Sequence, residues 1–256
     1  MRKIGTRRKG MNRGTSGWTR LRFAIFAAIL AATMINFAVA QNPNTLLAPP
    51  TYYYPFCPRK SCLYYAGDFD INNANALFDY ANAGTGKHAE LWVGVKPTRD
   101  VTITGASGNY FTTNPQIGIN PTPFLVRTGV TAGNGGQLVC KSGGNATLLF
   151  WQEQSFYYVV NISIAKLTKP CHLKAGKRYY VDLTPQYNDD SSYALLIDEE
   201  NHPPINHVGW PNDLDDDYWN APSFGAVYQP TWGSSGACGG FGCDEFSISL
   251  SGKIDK

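Results

Sequence analysis

From Phe246 to Gly252 the chain reads Phe-Ser-Ile-Ser-Leu-Ser-Gly, an alternation of apolar and polar residues with no break. A period of two sends successive side chains to opposite faces, which is strand geometry and excludes a helix. The same period recurs along the chain. Leu91, Val93 and Val95 share one face of "AELWVGVK", and Val101 and Ile103 one face of "VTIT". Val160, Ile162 and Ile164 do so in "YYVVNISIA". Tyr179, Val181 and Leu183 stand opposite Tyr180, Asp182 and Thr184 in "YYVDLT". Phe246, Ile248 and Leu250 are expected inside, with Ser247, Ser249 and Ser251 outside. Gly- and Asn-rich turn signals such as "TAGNGG" and "KSGGN" separate these runs. About ten short strands so spaced predict an all-β domain, a single antiparallel sandwich of jelly-roll type. Only "NNANALFDYANA", Asn72 to Ala83, is read as a short helix.

The first forty residues differ in character. Eight basic residues lie between Met1 and Arg22, and no acidic residue occurs before Asp68. An apolar run from Phe23 to Phe37 is followed by Ala-Val-Ala at 38–40. A basic segment, an apolar segment and an A-x-A site mark a cleaved export signal, and the run is short for a membrane span. Residues 1–40 are therefore expected to be a signal peptide. Residues 41–58 form a Pro- and Tyr-rich extended leader, and residues 59–256 the sandwich. Without the signal, fourteen basic and nineteen acidic side chains remain, a net charge of −5. Such a balance argues against nucleic acid as a partner. The expected location is secreted or periplasmic, with no membrane span after cleavage.

All six cysteines, Cys57, Cys62, Cys140, Cys171, Cys238 and Cys243, lie beyond the signal. An even number in an exported chain reads as disulfides. The two close pairs, Cys57 with Cys62 and Cys238 with Cys243, are assigned locally, which leaves Cys140 for Cys171.

The stretches "LYYAGDFD", "LKAGKRYYVDL" and "DEFSISLSG" resemble those of exported bacterial β-sandwich domain proteins of unknown function. The resemblance spans most of Cys62 to Gly252. It implies a jelly-roll-like sandwich and transfers no catalytic residue.

Candidate sites are few. Asp68, Asp70, Asn72 and Asp79 have the oxygen spacing of a calcium loop, with Asn73 where such loops place glycine; the alternative is an Asx-rich turn. Structural calcium is thus the one cofactor considered; otherwise none is expected. Trp210, Asp213, Asp215, Tyr218, Trp219 and Trp232 combine apolar ring faces with carboxylates, as a sugar-binding platform requires; the alternative is that the rings plug the end of the sandwich. His202 and His207 stand on a Pro-containing loop. The chain lacks a nucleophile elbow, a His-Glu-x-x-His helix and a phosphate-binding loop. A hydrolase is left only with carboxylates from separate strands, for which Glu153, Asp182 and Glu245 are the candidates. The resulting expectation is a secreted, non-catalytic module that binds a polysaccharide or a cell-surface component through its loops. The alternatives are a structural assembly protein and a carboxylate glycoside hydrolase.

Overall fold

The computed structural model describes residues 57, 60–67, 76–82, 85–116, 121–154, 157–189, 191–197, 207–211, 217–231, 237 and 246–256, with the side chains of 150–154 excepted. Residues 1–40, expected as a signal peptide, the expected leader apart from Cys57, and Cys238 and Cys243 lie outside the described residues. Sixteen strands are present among those described. The first eight are β1 (Cys62–Tyr65), β2 (Ala76–Phe78), β3 (Tyr80–Asn82), β4 (His88–Val95), β5 (Val101–Thr112), β6 (Thr122–Thr128), β7 (Gln137–Gly144) and β8 (Ala146–Gln154). The others are β9 (Tyr157–Ile164), β10 (Cys171–Leu173), β11 (Tyr179–Leu183), β12 (Gln186–Tyr187), β13 (Ala194–Ile197), β14 (Tyr218–Ala221), β15 (Ala226–Pro230) and β16 (Ile248–Ile254). One 3-10 turn, η1 (Pro222–Phe224), follows β14. Among the described residues, no helix is long and apolar enough to cross a membrane.

The strands form two eight-stranded sheets, antiparallel except for the β3–β12 pair. The first is organised on β5. Along one edge β5 pairs with β16 and then β13; along the other it pairs with β10 and then β9. The outer strands are β1, β2, β8 and the short β10. The second sheet runs β12-β3-β4-β11-β6-β7, with β14 and β15 attached to β4.

The alternation explains the core. Leu91, Val93 and Val95 join Tyr179, Val181 and Leu183 from the second sheet, and Ile103, Tyr110, Ile162, Phe246, Ile248 and Leu250 from the first, in one buried cluster. Burial of each large aliphatic side chain contributes about 1.5–3 kcal/mol. Two disulfides are present among the described residues, Cys57–Cys62 and Cys140–Cys171, as the spacing predicts. The second joins β7 of one sheet to β10 of the other. These bridges fit a protein of an oxidising compartment.

Two expectations are corrected. Residues 76–82 of the expected helix are instead β2 and β3, the crossover between the sheets. Asp79 donates its backbone N–H to Ala194 O, Ala81 donates to Pro185 O, and Leu77 and Tyr80 are buried. These long-range pairings outweigh the modest helix preference of an Asn/Ala segment. Ser247 and Ser249, expected outside, are buried. They form a polar ladder with β5 and β9: Ser107 and Ser249 hydroxyls are 2.6 Å apart, Asn109 Nδ2 donates to Ser247 Oγ at 2.7 Å, and Asn161 Nδ2 donates to Asn109 Oδ1 at 2.8 Å. Each of these buried polar groups is thereby satisfied.

Candidate functional site

The most distinctive polar feature lies at the crossover. Asp79 separates β2 from β3, and Asp182 lies in β11; both are fully buried. The Tyr110 hydroxyl, from β5 of the first sheet, lies 2.6 Å from Leu183 O and 3.2 Å from Asp79 Oδ2. Thr184 Oγ1 donates to Asp182 Oδ2 at 2.6 Å, and the Leu91 backbone N–H also bonds this carboxyl. Beside this group, the Thr112 and Tyr187 hydroxyls are 2.7 Å apart. Asp79 Oδ1 and Asp182 Oδ1 are both buried with no donor.

Burial, reinforced by the Asp182 carboxyl, raises Asp79 well above the usual carboxylate range. Burial and the nearby Glu90 charge push Asp182 up to about 8, against the pull of Thr184. Burial likewise raises Tyr110 well above its ordinary value. Desolvation disfavours each charged form, and like charges in one site cannot ionise together cheaply. Glu90 is less enclosed. Its Oε2 accepts from Trp92 Nε1 at 3.1 Å and from Asn220 Nδ2 at 2.9 Å.

Next to Glu90 and Asp182, a second small cluster contains Trp92, Val130 and Tyr180, with Leu125, Tyr218 and Tyr228 against it. The Arg127 guanidinium lies 4.9 Å from the Trp92 ring centroid and 5.8 Å from that of Tyr228. Tyr228 has φ of 44°, the single positive value found for a non-glycine residue among those described. The far end of its ring occupies the space where a side chain at Gly135 would begin, so a larger residue there would displace the Tyr228 ring.

A third feature is a chain of aromatic rings. Phe111 lies 6.4 Å from Tyr157, Tyr157 6.2 Å from Tyr193, and Tyr193 5.4 Å from Phe78. Phe78 stacks on Phe224 at 5.1 Å with 8° between the planes, and Phe224 is 5.9 Å from Trp219. Tyr80 packs beneath Phe78 and Tyr193. Phe224 is 42% exposed, and the other five rings of the chain are half-buried. Trp219 Nε1 donates to Phe78 O at 2.9 Å, which ties β14 to the crossover.

The residues expected from sequence are distributed among these features. Asp79 faces Tyr110 and Asp182; Asp68, Asp70 and Asn72 lie outside the described residues. Among the described residues no group of three acidic, histidine or cysteine side chains is arranged to hold a metal ion. Trp219 belongs to the ring chain, and Tyr218 packs edge-on against Tyr180 at 5.6 Å. Trp210 is 4% exposed and stacks on buried Tyr64 at 5.5 Å, which makes it a core residue. Asp213, Asp215, Trp232, His202 and Glu245 lie outside the described residues, as does the side chain of Glu153. Asp217 is buried and accepts the Gly94 N–H at 2.7 Å, capping β4. His207 packs edge-on against Tyr64, and burial lowers its pKa. Asp182, expected to be a catalytic candidate, does meet a second carboxyl. Neither carboxyl has accessible surface, so neither touches a solvent-borne substrate in this conformation.

Reading the sequence misses Glu90, Arg127 and the Phe78–Phe224 stack. Phe78 and Phe224 are 146 positions apart, and no local pattern announces their meeting. No protein-family model, curated protein or solved structure matches the chain.

Proposed function

We propose that the domain is a non-catalytic, secreted module that binds a neutral polysaccharide through the chain of rings formed by Phe111, Tyr157, Tyr193, Phe78, Phe224 and Trp219. The observation that carries this reading is the stacked Phe78–Phe224 pair, partly exposed and continued on both sides by further rings. Aromatic faces supply apolar area to sugar C–H groups at low entropy cost, while tyrosine hydroxyls at the rim accept and donate hydrogen bonds. None of the six side chains is charged, which favours an uncharged ligand.

Calorimetry and pull-down on a panel of soluble and insoluble neutral polysaccharides test the proposal. Phe224→Ala removes an exposed ring without opening the core. An aromatic contact contributes about 0.5–1.5 kcal/mol, so affinity falls roughly two- to tenfold. Absence of binding across the panel, or binding indifferent to Phe224→Ala and Trp219→Ala, sinks the reading.

A second reading, an assembly unit, is favoured by the sheet edges. β7 ends the second sheet with Leu138 and Val139 exposed at 41% and 45%, and β8 borders the first with Leu149 exposed at 50%. Exposed apolar edge strands invite pairing with other chains. Light scattering over a concentration series tests it: growth in mass that Leu138→Lys and Val139→Lys abolish supports assembly, and a constant monomer mass removes it.

A further inference from the structure

We propose that Asp79 and Asp182 hold one proton between them and act as a latch, fixing the Phe78–Tyr80 crossover to β11 and thereby the rings that the crossover carries.

The argument starts from counting donors. Tyr110 has one proton for two acceptors, and the shorter contact is to Leu183 O. Thr184 donates to Asp182 Oδ2, and the Leu91 N–H also serves this carboxyl. Asp79 Oδ1 and Asp182 Oδ1 then have no donor, although both are buried. Two ionised carboxylates offer acceptors only, so they repel each other and remain unsatisfied. One added proton makes each oxygen the other's partner. A proton shared between the two carboxyls, each of which perturbs the other's ionisation, is that arrangement.

The groups facing the pair from every neighbouring element reinforce this requirement. β4 contributes the Glu90 charge, which opposes ionisation. β5 contributes neutral Tyr110, the residue just after β11 the Thr184 hydroxyl, and β12 neutral Tyr187. Arg127 on β6 is directed onto Trp92 and Tyr228 and gives its Nη1 proton to Gly135 O. The named neighbours that touch the pair thus add no positive charge. A proton fits the site better than a cation, because among the described residues no third ligand is arranged around it.

The mechanical consequence follows from the chain. Phe78, Asp79 and Tyr80 are consecutive, so a displacement of Asp79 moves both neighbours. Phe78 contacts Tyr193 and Phe224 and accepts a hydrogen bond from Trp219. Loss of the proton therefore loosens the middle of the ring chain. This last step rests on the polysaccharide reading; the latch does not.

Thermal unfolding of the disulfide-bonded protein between about pH 5 and about pH 9 tests the latch, with the infrared carbonyl band of a protonated carboxyl followed over the same range. The expected result is a melting temperature that falls as pH rises, in step with loss of that band. Asp79→Asn places an amide donor where the shared proton stood, and it is expected to abolish both the slope and the band. Should Asp79→Asn fail to fold, the infrared titration of the native protein decides alone. Absence of a protonated carboxyl at acidic pH overturns the latch. So does a melting temperature that is flat over this range, or one that calcium raises in place of protons. Binding that is tight and independent of pH while the melting slope persists overturns the link to the rings. No binding at any pH, with the slope intact, sinks the polysaccharide reading and leaves the latch standing.

Discussion

Replacing both Cys140 and Cys171 by alanine tests how the two sheets are held together. The bridge joins residues separated by 31 positions, against 5 for Cys57–Cys62. If a crosslink acts by restricting the unfolded chain, a loop of this length contributes about 3.7 kcal/mol, and the short loop about 2 kcal/mol. For a domain of this size each kcal/mol shifts the melting temperature by roughly 2–4 °C, so the Cys140/Cys171 variant is expected to melt roughly 7–15 °C lower. The structure adds a reason to expect the upper part of this range. Cys140 sits on β7, the terminal strand of its sheet, and Cys171 on the three-residue β10. Both are buried, so alanine leaves small voids as well as a longer free chain. Guanidinium denaturation of the two double variants, Cys140/Cys171→Ala and Cys57/Cys62→Ala, measures both losses. A smaller loss for the long loop than for the short one refutes the argument, because chain entropy alone orders them the other way by about 1.6 kcal/mol.

Other consequences are quickly stated. Tyr110→Phe removes the single hydroxyl linking β5 to Leu183 O and Asp79, and is expected to cost about 1–3 kcal/mol in chemical denaturation. Gly252→Ala places a Cβ against Thr102 O at the β16–β5 bulge, and is expected to lower the melting temperature measurably. Asp189, held near pKa 2 by its hydrogen bonds to Ser192 and Ser191, supports its turn above about pH 4 and loses that support as pH falls through about 2; Asp189→Ala is expected to remove this acid-side transition from an NMR titration. Asp182, raised to about 8, behaves oppositely. Its protonated form binds its proton more tightly folded than unfolded, so stability is complete below about pH 4 and declines as pH rises through about 8.

What a reading of the sequence reveals here depends on the distance over which each feature is built. The strands of β4, β9, β11 and β16 are visible because alternation is a local property, and the faces read from it hold for Leu91, Val160, Val181 and Ile248. Side-chain parity was also right for Ser247 and Ser249, which stand opposite Phe246 and Ile248. Their burial was not visible, since parity tells which face a residue is on and not whether that face is covered. The β2–β3 crossover failed for a different reason. Three-residue strands carry too little alternation to compete with the Ala and Asn pattern of a helix, and their order comes from partners at Ala194, Pro185 and Leu195. The acidic pair needs still longer range, because Asp79 and Asp182 are 103 positions apart: one reads locally as the end of a calcium loop and the other as a lone strand acid, and nothing in either neighbourhood joins them.

Those two failures have one origin, and it bears on function. Along Phe78-Asp79-Tyr80 the chain leaves one sheet and enters the other, so no single sheet supplies its pattern. The alternation that does exist there directs Phe78 to Phe224 and Asp79 to Tyr110 and Asp182. A helix would turn these side chains by about 100° per residue and could not serve both at once. An extended crossover can, and it lets a buried acid and a half-exposed ring share one rigid backbone. A polar pair inside an apolar core is costly unless each partner is satisfied. If the pair served stability alone, isosteric apolar side chains would do as well. Asp79→Leu combined with Asp182→Leu is therefore expected to retain or raise the melting temperature at alkaline pH, while removing its dependence on pH and altering the seating of Phe78. A double-leucine protein whose melting temperature still declines from acid to alkali would place the responsible proton elsewhere and break the connection between the acids and the rings.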